Sequence, residues 1–228
     1  MRWTEQIRRD KKTLTRLNGK QKRQFVWDYY KQPILIAGVV LILGICGISM
    51  TLRAADVAFY AVLINANNEA QEDPFSPLLT AAGVDMEGKH VDIQANYTLR
   101  YEDSSTSDAQ TIQVLAALFG IGDLDVFAAD QAVFESYAGQ QAFIDLSLFI
   151  PEELLEQYEA FLYYSESETG EEIVSGIWLR EGSFLHTAGY YVDDVLVGVA
   201  ANAQNLDNAI LMVKQLLEDG SLGEESSS

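Results

Sequence analysis

One cysteine, Cys46, and two histidines, His90 and His186, are all that 228 residues contain of those two types. A single cysteine excludes an intramolecular disulfide and a cysteine-based metal cluster. With two histidines, a zinc enzyme would have to recruit carboxylates, and no H-E-x-x-H or C-x-x-C spacing is present. No G-x-S-x-G, P-loop or G-x-G-x-x-G occurs either. Gly120-Ile121-Gly122 follows a helical pattern, the wrong context for a dinucleotide site. Cations are scarce over most of the chain. Residues 54–228 carry 4 Lys and Arg against 31 Asp and Glu, a net of −27. Phosphate neutralisation needs Lys and Arg, so nucleic acid is excluded as a partner of this part. No cofactor motif remains, and the chain is not expected to be an enzyme.

The cations are concentrated at the start instead. Residues 1–53 hold 11 basic and 3 acidic side chains, a net of +8. Between them and the acidic part, Pro33 to Leu52 is a run of 20 residues without a charge. At about 1.5 Å per residue such a helix crosses about 30 Å, the thickness of a hydrocarbon core. Trp27, Tyr29 and Tyr30 precede it at the headgroup level. The basic flank places the N-terminus in the cytoplasm and the acidic part outside the cell membrane. Arg53-Ala54-Ala55 is a poor cleavage site, so the segment is expected to stay as a single-pass signal anchor. The expected organisation is a basic cytoplasmic segment (1–32), a transmembrane helix (33–52), an extracytoplasmic α/β domain (54–220) and a disordered tail (221–228). The lipid bilayer is therefore one partner.

Within the outer domain, apolar runs at 57–65, 124–129 and 195–201 predict buried strands. Residues 90–101 alternate strictly and predict a half-buried strand near a sheet edge. Helical patterns lie between them. One runs over 74–82. A second places Ile112, Leu115, Ala116 and Phe119 on one face, with Ser107 as its cap. A third is capped by Asp130, and a fourth runs from Ser147 and Pro151 through Leu154, Leu155, Tyr158, Phe161 and Leu162. The last is capped by Asn205 and stopped by Gly220. Residues 173–179 predict a further strand after an acidic turn. Strands alternating with helices imply βαβ units, so a mostly parallel sheet with helices on both faces is expected.

Three stretches carry a resemblance. Asp125-Val126-Phe127-Ala128-Ala129-Asp130, followed by Gln141-Ala142-Phe143-Ile144-Asp145-Leu146, resembles the D-V-F-x-x-D and G-x-F-x-D-L patterns of bacterial extracellular solute-binding proteins with the type 2 periplasmic-binding fold. Gln141 stands where that pattern has glycine. Asn202, Asn205 and Ala209 match the family's N-S-K-N-x-x-x-A return segment, with Ala203 and Gln204 replacing Ser and Lys. Trp27-Asp28-Tyr29-Tyr30-Lys31 resembles membrane-anchored proteins of Gram-positive bacteria whose outer domain is solute-binding-like. The resemblance spans about two thirds of the chain. It implies one lobe of that fold, because only residues 147–194 separate the two stretches, too few for a second lobe.

Ligands of open parallel sheets sit beyond the carboxyl ends of the strands. Those ends nominate Asn65, Asn67, Asp130, Gln131 and Asn202 as ligand-binding residues. The simpler reading makes Asp130 and Asn205 helix caps and the other asparagines loop formers. Asp123, Asp125, Asp193 and Asp194 are the carboxylates available to a divalent cation, without EF-hand spacing. The expected function is a membrane-tethered binding or interaction module, accessory to a protein in the same membrane. A solute-binding protein for a small polar ligand ranks second, and an extracytoplasmic hydrolase third.

Overall fold

The computed structural model describes residues 57–70, 72–100 and 106–223. The basic segment, the expected transmembrane helix with Cys46, and residues 224–228 lie outside the described residues. Among the described residues, no helix is long and apolar enough to cross a membrane.

Six strands form one sheet. They are β1 (Val57–Ile64), β2 (His90–Tyr97), β3 (Val126–Ala129), β4 (Leu162–Glu166), β5 (Glu172–Leu179) and β6 (Val195–Val199). Their order is β2-β1-β3-β6-β5-β4. Helix α1 (Phe75–Ala81) connects β1 to β2, and α2 (Thr106–Ile121) connects β2 to β3. Both connections return the chain in the same direction, so β2, β1 and β3 are parallel. β2 is an edge strand, as its alternation predicts.

The other half departs from the expected parallel sheet. β6 runs antiparallel to β3 and β5, and β4 antiparallel to β5. The sheet is mixed. A parallel return needs a crossover of a dozen or more residues, usually a helix. Between β5 and β6 the only helix is α5 (Phe184–Thr187), a single turn, so the chain folds straight back. The helix expected from Pro151 through Leu162 is also shorter. After α3 (Gln131–Ala138), a 3-10 turn at Leu146–Leu148 leads to α4 (Glu152–Gln157). Tyr158, with φ −117° and ψ 27°, leaves helical geometry, and Leu162 already belongs to β4. β4 and β5 make a hairpin.

Helices do cover both faces. On one face Phe59, Ala61 and Leu63 of β1 pack with Phe75 and Leu79 of α1 and with Ala209, Met212, Val213, Leu216 and Leu217 of α6 (Leu206–Asp219). On the other, Val62, Ile64 and Phe127 pack with Leu115 of α2 and with Val133, Phe134 and Tyr137 of α3. This second layer is aromatic. Phe134 stacks on Phe143 with centroids 4.3 Å apart and planes 7° apart. α2 begins at Thr106, so Ser107 lies inside it rather than capping it. Leu115 is buried, but Ile112 and Ala116 face outward, against the expected apolar stripe. α6 ends at Gly220, which takes a left-handed φ of 64°. Residues 221–223 belong to the fold rather than to a disordered tail. Leu222 is buried, and its carbonyl accepts from Arg180 N at 2.8 Å.

Phe134 lies over a notch cut by Gly176 of β5 and Gly198 of β6. A Cβ on Gly198 would stand 2.9 Å from both the Phe134 and Phe143 rings. Gly198→Ala is therefore expected to overpack this layer and cost about 1–3 kcal/mol. Chemical denaturation measures it. Combined with Phe134→Leu, which makes room, the loss should be smaller than the sum of the two single losses.

Candidate functional site

The carboxyl ends of β1 and β3 bring Asn65 and Asp130 together. Asn65 takes a left-handed φ of 57°, a conformation asparagine tolerates better than most residues. Its side-chain oxygen accepts from Leu99 N at 2.9 Å, and its amide donates to Leu99 O at 2.9 Å and Asp130 Oδ2 at 2.6 Å. The other Asp130 oxygen accepts from Val133 N at 3.1 Å, the expected N-cap of α3. Asn67 donates to Gly189 O at 3.1 Å and accepts from Glu69 N at 3.1 Å. All three residues are committed to internal bonds that fasten the strand ends to neighbouring loops.

Tyr191 closes this end from within. Its buried hydroxyl donates to Ile64 O at 2.9 Å and lies 3.2 Å from Ala128 O, so one phenol spans the ends of two strands. Burial, with a smaller contribution from the Asp130 charge, raises its pKa well above the ordinary phenol value. No sequence signal singled out Tyr191, because its partners are backbone carbonyls far away in the chain.

Gln131 is exposed and bonds Glu135 Oε1 at 2.6 Å. It borders an open polar hollow of about 630 Å³, together with Trp178, Arg180, Val192, Asp193 and Asp194. Arg180 Nη1 pairs with Asp194 Oδ2 at 2.8 Å, and its guanidinium lies 5.5 Å from the Trp178 ring centroid. Beside it, His186 Nε2 faces the Asp193 carbonyl at 2.9 Å and so carries a proton. Nδ1 lies 2.6 Å from Ser183 Oγ, within hydrogen-bond distance. Ser183 is fully buried at the start of α5. The pair fastens the entry of α5 to the loop at Asp193.

Asn202 is at the other end of the sheet. Because β6 is antiparallel, its carboxyl end adjoins the start of β3, where Ala200 N donates to Asp125 O at 2.9 Å. The expectation that Asn202 shares a site with Asn65 and Asp130 fails for that reason. Asn202 donates to the Phe119 carbonyl and borders a cleft of about 600 Å³ between α2 and α3. Its walls are mostly apolar: Ile112, Ala116, Phe119, Tyr137, Ala142 and Ala201.

The four aspartates do not assemble. Asp125 is wholly buried and saturated by neutral donors, Asp123 accepts from Gln204, and Asp193 and Asp194 lie at the opposite end of the sheet. Among the described residues, no three His, Cys, Asp or Glu side chains are grouped to hold a metal. Asn205 sits at the N-cap position of α6 but does not cap it, because its amide donates to Asp125 Oδ2 at 2.9 Å. Comparison of the chain with known protein families, curated proteins and solved structures found no match.

Asp130→Ala removes a cap and a bond to Asn65, and should lower stability by about 1–2 kcal/mol in denaturant titrations. The raised Tyr191 pKa gives a pH signature. Below pH 10 the folded and unfolded chains both keep the phenol proton. Above it the unfolded chain releases the proton first, so stability falls by up to about 1.4 kcal/mol per pH unit for this one group. Tyr191→Phe should be about 1 kcal/mol less stable at neutral pH. It should also show a shallower fall between pH 10 and 11.5.

Proposed function

We propose that this protein is a membrane-tethered extracytoplasmic module that binds another protein of the same membrane, and that it is not an enzyme. The observation supporting this reading is the state of the strand ends. Asn65, Asn67 and Asp130 are spent on internal bonds. What remains outside them is an open surface, on which a small solute would keep much of its water. The tether rests on the 20-residue apolar run and the charge split of the sequence. Held in a bilayer, a module meets neighbours at a raised effective concentration. The sequence resemblance to bacterial extracellular solute-binding proteins, in which this chain would supply one lobe, fits an α/β domain without a second lobe to close.

A second reading, capture of a small polar solute, is favoured by the hollow around Gln131, Arg180 and Asp194. Both are tested on the full chain. Protease added to intact cells should digest the domain after Arg53 and spare the basic segment. In detergent, amino acids, sugars, short peptides and divalent cations should leave the melting temperature unchanged. A protected outer domain reverses the topology. A rise in melting temperature with a micromolar solute, lost in Arg180→Ala, selects the second reading.

A further inference from the structure

The cleft between α2 and α3 combines two features. Its walls are apolar, and exposed apolar side chains extend along α2, with Ile112 43%, Val114 38% and Ile121 64% exposed. Its rim is acidic. Gln141 at the cleft edge faces Glu168; with its side-chain amide turned so that both partners are satisfied, it donates to Oε1 at 3.1 Å and accepts from N at 3.3 Å. Glu168 sits in the loop of the β4–β5 hairpin, beside Glu166, Glu171 and Glu172. On the other side Asp123 follows Gly122, whose position abuts the Asn202 carbonyl. None of the four cations of residues 54–228 lines the cleft.

The cleft lies at the end of the sheet where β1 begins, since Ala201 and Asn202 follow β6 beside Asp125, and Asp125 N bonds Tyr60 O at 3.1 Å. Resting on the membrane-tethered reading, we propose that this cleft docks an extracytoplasmic segment of a second membrane protein, one with apolar anchors flanked by lysine or arginine. The acidic rim selects that chemistry. It repels anionic lipid headgroups, and a net charge of −27 disfavours a second copy of this domain.

The test uses the full chain in its native membrane. A photoreactive benzoylphenylalanine replaces Ile112 in the cleft or, as a control, Val192, which is 88% exposed at the opposite end of the sheet. Illumination at position 112 should give an adduct mapping to an apolar, Lys/Arg-flanked extracytoplasmic segment of another membrane protein. Ala116→Asp and Glu168→Lys should each remove most of it while leaving the melting temperature unchanged. The proposal is overturned by no adduct at 112, by adducts to lipid, to a second copy or to an acidic segment, or by an equal adduct from 192. Protease digestion of the same membranes separates the two levels. An inaccessible outer domain defeats the tether, whereas an accessible one without the adduct defeats only the docking cleft.

Discussion

The buried carboxylate of Asp125 is the joint on which the two halves of the sheet depend. One oxygen accepts from Tyr60 N at 2.9 Å and from the Asn205 amide at 2.9 Å, and the other from Asn205 N at 2.8 Å. Its own backbone bonds Tyr60 O and Ala200 N. One residue thus ties β1, the entry to β3, the exit of β6 and the start of α6. A carboxylate with no exposure is costly to bury, and here three N–H donors replace its water without any cation. The arrangement works only if the chain leaving β6 turns back beside the start of β3. The antiparallel direction of β6 and the burial of Asp125 are therefore one fact.

The elements legible in the sequence are those whose local pattern has a single solution. β1 reads as a buried strand, β2 as an edge strand and α6 as an amphipathic helix with a glycine stop, and each stands within a few residues of its expected span. The illegible parts are those where a short apolar pattern fits two periods. Leu154, Leu155, Tyr158, Phe161 and Leu162 satisfy helical spacing, yet the same stretch ends in a strand that pairs across the hairpin to β5. Missing β4 hid the hairpin, and without the hairpin β6 read as one more parallel strand. Direction is a tertiary property, and residues 195–201 are equally apolar either way.

The candidate site inherited that error. Asn65, Asp130 and Gln131 do share one end of the sheet, because β1 and β3 are parallel. Asn202 was placed with them by a rule valid only for parallel strands. Gln141 holds a φ of 58°, the left-handed conformation that glycine adopts without strain. Its side chain reaches Glu168.

Reversing β6 divides the molecule into two unlike ends. At the carboxyl ends of β1 and β3, polar side chains and the Tyr191 phenol are consumed in holding strands and loops together. At the opposite end, α2 carries apolar residues outward, so its core face is narrower than its sequence suggests. Leu115 is buried while Ile112 and Ile121 are not. Among the described residues, only Asp108 and Asp125 bury an acidic side chain. Of the four cations in residues 54–228, Arg180 pairs with Asp194 at 2.8 Å and Lys214 with Glu218 at 3.6 Å. The Lys214–Glu218 pair is exposed and contributes at most about 1 kcal/mol to folding, while Arg180–Asp194 is part-buried. The excess carboxylates set up a negative field at the surface instead. Stability comes from the two apolar layers and from neutral donors around Asp125.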